Sequence, residues 1–253
     1  MSIVWQKHAD GVDYQVRRAG RTLRLYTNGV FHSQYNPARP VTGSVWDLLL
    51  LPAFFYPPGE LQRILVLGVG GGAVIQNLRR FVQPRQIVGV ELNPVHVSVA
   101  ERFFGVRGDD VQLVEADAIE WVHRYDGPPF DLVIDDLFGE VDGEPQRAIF
   151  SDTKWVCSLI ALLSGEGAIV SNFASRLELD VSAYVAQASC RNRFVSGFNF
   201  TTTQNYNNVG AFLRRPATTR QLRERLARVP ELNPRCRSNG LAYRIRTLFD
   251  EAS

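Results

Sequence analysis

Two adjacent carboxylates, Asp135 and Asp136, close the buried run "FDLVIDD". A carboxylate at the end of an apolar strand can attract a cationic reactant and accept its proton. Successive strand residues point to opposite faces, so one of the pair faces a site and the other a flank. Upstream, "ILVLGVGGGAVIQNL" breaks a hydrophobic run with Gly68, Gly70, Gly71 and Gly72 before helical spacing resumes. Glycines allow a sharp turn and close ligand approach, and the next helix offers free N–H groups. The run satisfies both G-x-G-x-x-A and G-x-G-x-G, so it suits a dinucleotide, an adenosyl sulfonium or a tight turn without ligand.

Glu91 closes "IVGVE" nineteen residues after Gly72, where a carboxylate can accept both hydrogen bonds of a ribose diol. Asp117, with Ala118 beside it, follows the next strand. It can serve an adenine amino group or cap the helix that "DAIE" begins. The carboxylate pair disfavours a nicotinamide site. The histidines show no metal-ligand spacing, so no metal is expected, and no nucleophile elbow or Cys-His signature is present.

These residues need elements to hold them. The 253-residue chain has 45% hydrophobic and 21% charged residues and a net charge of +2, an ordinary globular composition. From Leu61, near-continuous aliphatic strands ("RILVLGV", "QIVGVEL", "VQLVEA", "FDLVIDDL", "GAIVSNF") alternate with amphipathic helices, as in a parallel sheet covered on both faces. "RFVSGFNFTTT" and "NNVGAFLRR" predict an antiparallel hairpin at the sheet edge, its polar loop offering Tyr206 as an acceptor-side candidate. The first forty residues alternate around Ala19-Gly20 and Asn28-Gly29 turns, predicting a small antiparallel β-unit. "SVWDLLLLPAFFYPPGE" predicts a short helix ended by prolines. The expected divisions are 1–60 for the β-unit and connecting helix, 61–213 for a Rossmann-like catalytic domain, and 214–253 for an arginine-rich helical tail.

That tail carries ten arginines against four acids, whereas residues 135–152 hold six acids facing only Arg147. The tail is read as a solvated helical face with no nucleic-acid partner, and the acidic loop as one that would attract cations or be merely solvated. Cys157, Cys190 and Cys236 are widely spaced and imply no disulfide framework. With neither signal core nor membrane span in the sequence, a soluble cytoplasmic protein is expected.

Over about residues 10–213 the chain resembles the spermidine synthase (polyamine aminopropyltransferase) family. The "NGV" turn, the glycine run at 68–73, Glu91, Asp117 and "FDLVIDD" come in the family's order. The resemblance implies an α/β Rossmann-like fold of the class I methyltransferase type, a mostly parallel sheet with an antiparallel edge hairpin, preceded by a small β-unit. It also implies a homodimer. Gly68, Gly70, Gly72, Glu91, Asp117 and Ala118 would hold decarboxylated S-adenosylmethionine. Asp136, with Asp135 beside it, would be the base for aminopropyl transfer to a small amine or other cationic acceptor.

The family's loop is G-G-G-D-G-G, and its Asp, which helps hold the transferred amine, falls on Gly71. The second acid of its D-S-S-D-P motif falls on Gly139, with Glu140 adjacent. Its acceptor-gripping residues fall on Trp46-Asp47-Leu48 and His32. The nucleoside end therefore matches better than the acceptor end, which opens the acceptor beyond putrescine. Two alternatives stand: a methyltransferase using ordinary S-adenosylmethionine, and a non-catalytic nucleoside-binding or assembly subunit.

Overall fold

A computed structural model describes residues 1–141, 144–233, 235–236 and 240–250; of residues 140, 141, 144 and 145 it describes the backbone alone. The chain opens with an antiparallel meander: β1 (Ser2–Ala9), β2 (Val12–Ala19), β3 (Thr22–Thr27) and β4 (Val30–Tyr35). Asn28 and Gly29, at φ 48° and 83°, make the β3–β4 turn that their types predict. Alternation buries Tyr14, Val16 and Leu25. Helix α1 (Val45–Leu50) runs into a 3-10 turn, Leu51–Phe55, and all but its first residue is buried.

The alternating part follows as β5 (Arg63–Leu67), α2 (Ala73–Phe81), β6 (Gln86–Glu91), α3 (Pro94–Arg102), β7 (Val111–Glu115), α4 (Ala118–Arg124) and β8 (Phe130–Asp135). A two-stranded ribbon, β9 (Phe138–Val141) and β10 (Glu144–Arg147), leads to α5 (Thr153–Ala161) and the eleven-residue β11 (Leu163–Phe173). Then come α6 (Arg176–Val181), α7 (Ala183–Ala186), α8 (Ala188–Arg191), β12 (Ser196–Thr201), β13 (Asn208–Leu213), α9 (Thr219–Leu226) and β14 (Arg244–Phe249).

One eight-stranded sheet runs β14-β12-β13-β11-β8-β5-β6-β7. Its pairs from β7 to β11 are parallel, while β11–β13, β13–β12 and β12–β14 are antiparallel. This is the expected Rossmann-like architecture with the methyltransferase strand order. Two expectations need correction. The β12–β13 hairpin is not the edge, because β14 pairs along β12. The tail is therefore not wholly helical: it has α9 and one 3-10 turn, Pro230–Leu232, and then a strand. Four of the six residues of "RIRTLF" are β-branched, aromatic or leucine, which suits strand pairing and was masked by the arginine count.

Period-two alternation splits the core. Ile64, Val66, Leu132, Ile134 and Val170 face one layer with α2 and α3; Leu65, Leu67, Val133 and Ile169 face the other with α5. In that second layer the Sγ atoms of Cys157 and Cys190 lie 3.8 Å apart, a proximity their sequence spacing concealed. Among the described residues no helix is long and apolar enough to cross a membrane.

Gly72 starts α2 in the left-handed region, φ 80°, and a Cβ there would overlap Val106 Cγ2. Gly72→Ala therefore meets both backbone strain, about 1–2 kcal/mol, and overpacking, about 1–3 kcal/mol. Thermal unfolding is expected to drop by several degrees; an unchanged melting temperature would mean that this turn relaxes freely.

Candidate functional site

Strand order reverses between β5 and β8, and ligands in open α/β sheets sit beyond the carboxyl ends of strands at such a point. The backbone fixes this junction tightly. Asp136 N–H donates to Leu67 O at 2.9 Å, and Gly68 N–H to Val90 O at 2.9 Å. Gly68, at φ 83°, packs so closely that a Cβ would overlap the Asp136 carbonyl oxygen. The glycine loop, Glu91 and Asp136 thus meet at three adjacent strand ends.

Glu91 is 8% exposed. Its Oε2 accepts from Val69 N (3.0 Å) and Gly70 N (2.8 Å), and its Oε1 from Asn93 N (2.9 Å). Burial alone would raise its carboxyl. The nearby His96 ring, with the Asn93 and Gly70 amides, outweighs that and holds it below the ordinary range. Its carboxylate is charged and aimed by the loop it supports. Asp117 is exposed and caps α4, its Oδ1 accepting from Ile119 N (2.7 Å) and Glu120 N (3.1 Å). Ala118 beside it is buried.

The two acids of "IDD" part company as alternation requires. Asp135 is fully buried on the α5 side. Its Oδ2 accepts from Arg147 Nη2 (2.8 Å), Trp155 Nε1 (3.2 Å) and Ser171 Oγ (3.3 Å). Arg147 also reaches Glu178 (3.2 Å) and the Asn172 carbonyl. Burial lowers the guanidinium, but the charge of Asp135 outweighs it and the net shift is upward. Asp135 is thus committed to an internal ion pair, away from the face where a reactant would approach. Asp136 is half-buried on the other face, and its Oδ1 accepts from Asn172 Nδ2 at 2.8 Å. Burial pushes its carboxyl up to about 6; Asn172 opposes that, while the neighbouring Asp135 adds to it.

The acceptor-side candidates scatter. The His32 ring lies tilted at 5.0 Å from that of His96, and the Gly70 Cβ position lies 3.3 Å from its carbonyl. This groups His32 with Glu91 rather than with an acceptor pocket. Burial, then the neighbouring His96, lowers its ring to about 4, against the pull of Glu91, so it is neutral. Trp46 is buried edge-on to Phe31 at 5.2 Å. Tyr206 is 95% exposed on the loop after β12. The Glu140 side chain lies outside the described residues.

The sequence places His96 on a helix away from the strand ends and gives it no role at the site. In fact Asn93 caps α3 so that His96 turns inward to Thr27 Oγ1 (2.8 Å) and Glu91 Oε1 (3.7 Å). Asn172 and Asn207 also escaped notice; polar ends of the strand "GAIVSNF" and the loop "NYNN" were the only signals. Gly71 is hemmed in as well. A Cβ would lie 2.8 Å from Ser33 Cβ and 3.0 Å from Phe104 Cζ, so the acid found here in the resembled family has no room.

Comparison with known proteins leads to the same group. A polyamine aminopropyltransferase 2 of Caldanaerobacter subterraneus subsp. tengcongensis is 30% identical over 106 residues, 41% of this chain and 35% of the relative. The chain resembles the polyamine aminopropyltransferases. It spans about a third of the length of that relative, and no family model matches it. A probable spermidine synthase from Corynebacterium glutamicum superposes with a TM-score of 0.72 at 16% identity, covering all of this chain and 92% of the other. Human methyltransferase-like protein 13, in complex with SAH, superposes at 0.57 with 21% identity over 76% of this chain and 89% of that one. The aminopropyltransferases and the methyltransferase share this fold.

Removing Arg147 tests the division of labour between the acids. Arg147→Met leaves the Asp135 charge buried without its partner, a loss of about 3–5 kcal/mol. The denaturant midpoint is expected to fall accordingly at an unchanged m-value. A loss below about 1 kcal/mol would show that Asp135 does not depend on the pair.

Proposed function

We propose that the protein transfers an alkyl group from an S-adenosylmethionine-type sulfonium to a small amine, with Asp136 as the base. The observation that supports this most directly is the half-buried Asp136 beside Gly68 at the strand-order reversal, across from Glu91. In this reading Gly68, Gly70 and Gly72 shape the turn under the nucleoside and Glu91 accepts from the ribose hydroxyls. Asp117 and Ala118 lie toward the base. The donor's cation sits near Asp136, whose carboxylate aligns the acceptor nitrogen. The lone pair attacks the carbon next to sulfur, that C–S bond breaks with its electrons going to sulfur, and the excess proton on nitrogen passes to Asp136. Asp135 acts from behind, fixing the strand end.

The leading form is aminopropyl transfer from decarboxylated S-adenosylmethionine, as the names of the relatives suggest, with methylthioadenosine leaving. Methyl transfer from ordinary S-adenosylmethionine is the second reading. It is favoured by Gly71: with Ser33 and Phe104 filling that position, no loop carboxylate holds a transferred aminopropyl group. The human neighbour was solved with SAH, the product of such a donor.

Calorimetry with S-adenosylmethionine, its decarboxylated form, methylthioadenosine and NAD separates the readings. Preference for the decarboxylated donor and methylthioadenosine supports aminopropyl transfer. Preference for S-adenosylmethionine supports methylation, and binding of NAD alone overturns both. Glu91→Ala is expected to weaken nucleoside binding by about 1–3 kcal/mol; equal affinity would place the ribose elsewhere.

Asp136→Asn should keep nucleoside affinity and slow turnover by about two to four decades. A base must be ionised, and burial has raised Asp136 to about 6. Activity is therefore expected to be full well above pH 6 and to fall as pH drops through it. A pH–rate profile flat to pH 5, or a fully active Asp136→Asn, would remove Asp136 from the chemistry.

A further inference from the structure

We propose that Asn172 is a positioning residue for Asp136, and that Asn207, on the loop between β12 and β13, reinforces the orientation in which the Asn172 amide donates to the carboxylate. The base role of Asp136 rests on the function proposed above; the relay stands on geometry alone. Asn172 Nδ2 donates to Asp136 Oδ1 at 2.8 Å, and Asn207 Nδ2 donates to Asn172 Oδ1 at 3.0 Å. Asn172 is 3% exposed, and Arg147 holds its backbone carbonyl.

The donor inventory makes this order self-consistent. An ionised carboxylate only accepts, so Asn172 must present its NH2 group to Asp136. Its oxygen then faces Asn207, which must donate. Turning the Asn172 amide over would set oxygen against carboxylate, and NH2 against NH2 unless Asn207 turned over as well. Only a protonated Asp136, which can donate, tolerates that reversed amide. The charge of Asp136 thus sets the order, and the bond from Asn207 adds to the orientation that serves it.

The balance at this carboxyl gives the relay leverage. Burial, Asp135 and Glu91 all favour the neutral form, while Asn172 and the Arg147 charge oppose them. Asn172 is the one of these that donates a hydrogen bond directly to Asp136 among the described contacts. Asn207 sits in "NYNN" next to exposed Tyr206, so a loop outside the parallel sheet supports an amide within it.

The test is a double-mutant cycle read on the carboxyl itself. Wild type, Asn172→Ala, Asn207→Ala and the double variant are labelled with 13C-carboxyl aspartate and titrated by NMR, with Asp136→Asn assigning the signal. Asn172→Ala is expected to move the Asp136 midpoint upward by about 1 pH unit, because a bond to the charged form is lost. Asn207→Ala should move it in the same direction by less. In the Asn172→Ala background it should move it no further, since Asn207 acts only through that amide.

An equal shift from Asn207→Ala in both backgrounds, or no shift from either single variant, overturns the relay. Asn207 is a partly exposed loop residue whose truncation leaves no core cavity, so a folding defect in Asn172→Ala does not block the test. The acid limb of kcat/KM is read in parallel and should follow the NMR midpoints. Midpoints that move under a stationary limb would keep the relay and refute Asp136 as the base.

Discussion

The ion pair between Asp135 and Arg147 organises the region around the carboxyl ends of β8 and β11. Two adjacent carboxylates repel, and neither tolerates burial without a partner. Strand alternation sends them to opposite faces, and Arg147 neutralises the one that faces the core. The same guanidinium touches Glu178 and the Asn172 carbonyl. One charge therefore ties β10 to the ends of β8 and β11 and to α6. Asp135 meets its partners through Oδ2 alone, and alternation leaves Asp136 as the acid facing the other side. The lone arginine in the acidic stretch 135–152 is not a solvated counter-charge; it is among the least exposed charged side chains in the molecule.

The N-terminal sheet acts on the other side of the junction. Tyr14 accepts from Asn93, Thr27 meets His96, and Ser33 closes over Gly71. Each contact reaches a residue that supports Glu91 or the glycine loop. The small β-unit therefore helps build the nucleoside end. Neutral His32 adds bulk there without adding charge, which leaves Glu91 as the dominant charge of that wall.

Much of this was readable in the sequence. The strands of the parallel sheet, the Asn28-Gly29 turn and the caps at Asn93 and Asp117 rest on local signals: aliphatic runs, φ preference and side-chain reach of two or three residues. What stayed hidden depends on contacts distant in sequence. His96 and Thr27 are 69 positions apart, Asn172 and Asp136 36, and Asn207 and Asn172 35. No local pattern marks an asparagine that will meet an aspartate across a parallel pair. The strand β14 was obscured for another reason: its arginines point to solvent on an edge, so charge outweighed the pattern of its apolar residues.

The two ends of the site differ in how firmly the structure specifies them. At the proposed nucleoside end, three backbone amides converge on Glu91, and glycines are demanded by backbone angle and by packing at once. Substitution there costs folding as well as binding. At the proposed acceptor end, Tyr206 is exposed, Trp46 is spent on packing, and Asp136 is held by one amide that a loop residue supports. Such a site can change its acceptor by altering a loop without disturbing the sheet. The chain keeps the glycine turn and the buried acid that the proposed reading gives to an adenosyl group, and departs where that reading would choose an acceptor. That is the pattern expected when one donor-binding framework serves more than one transfer reaction.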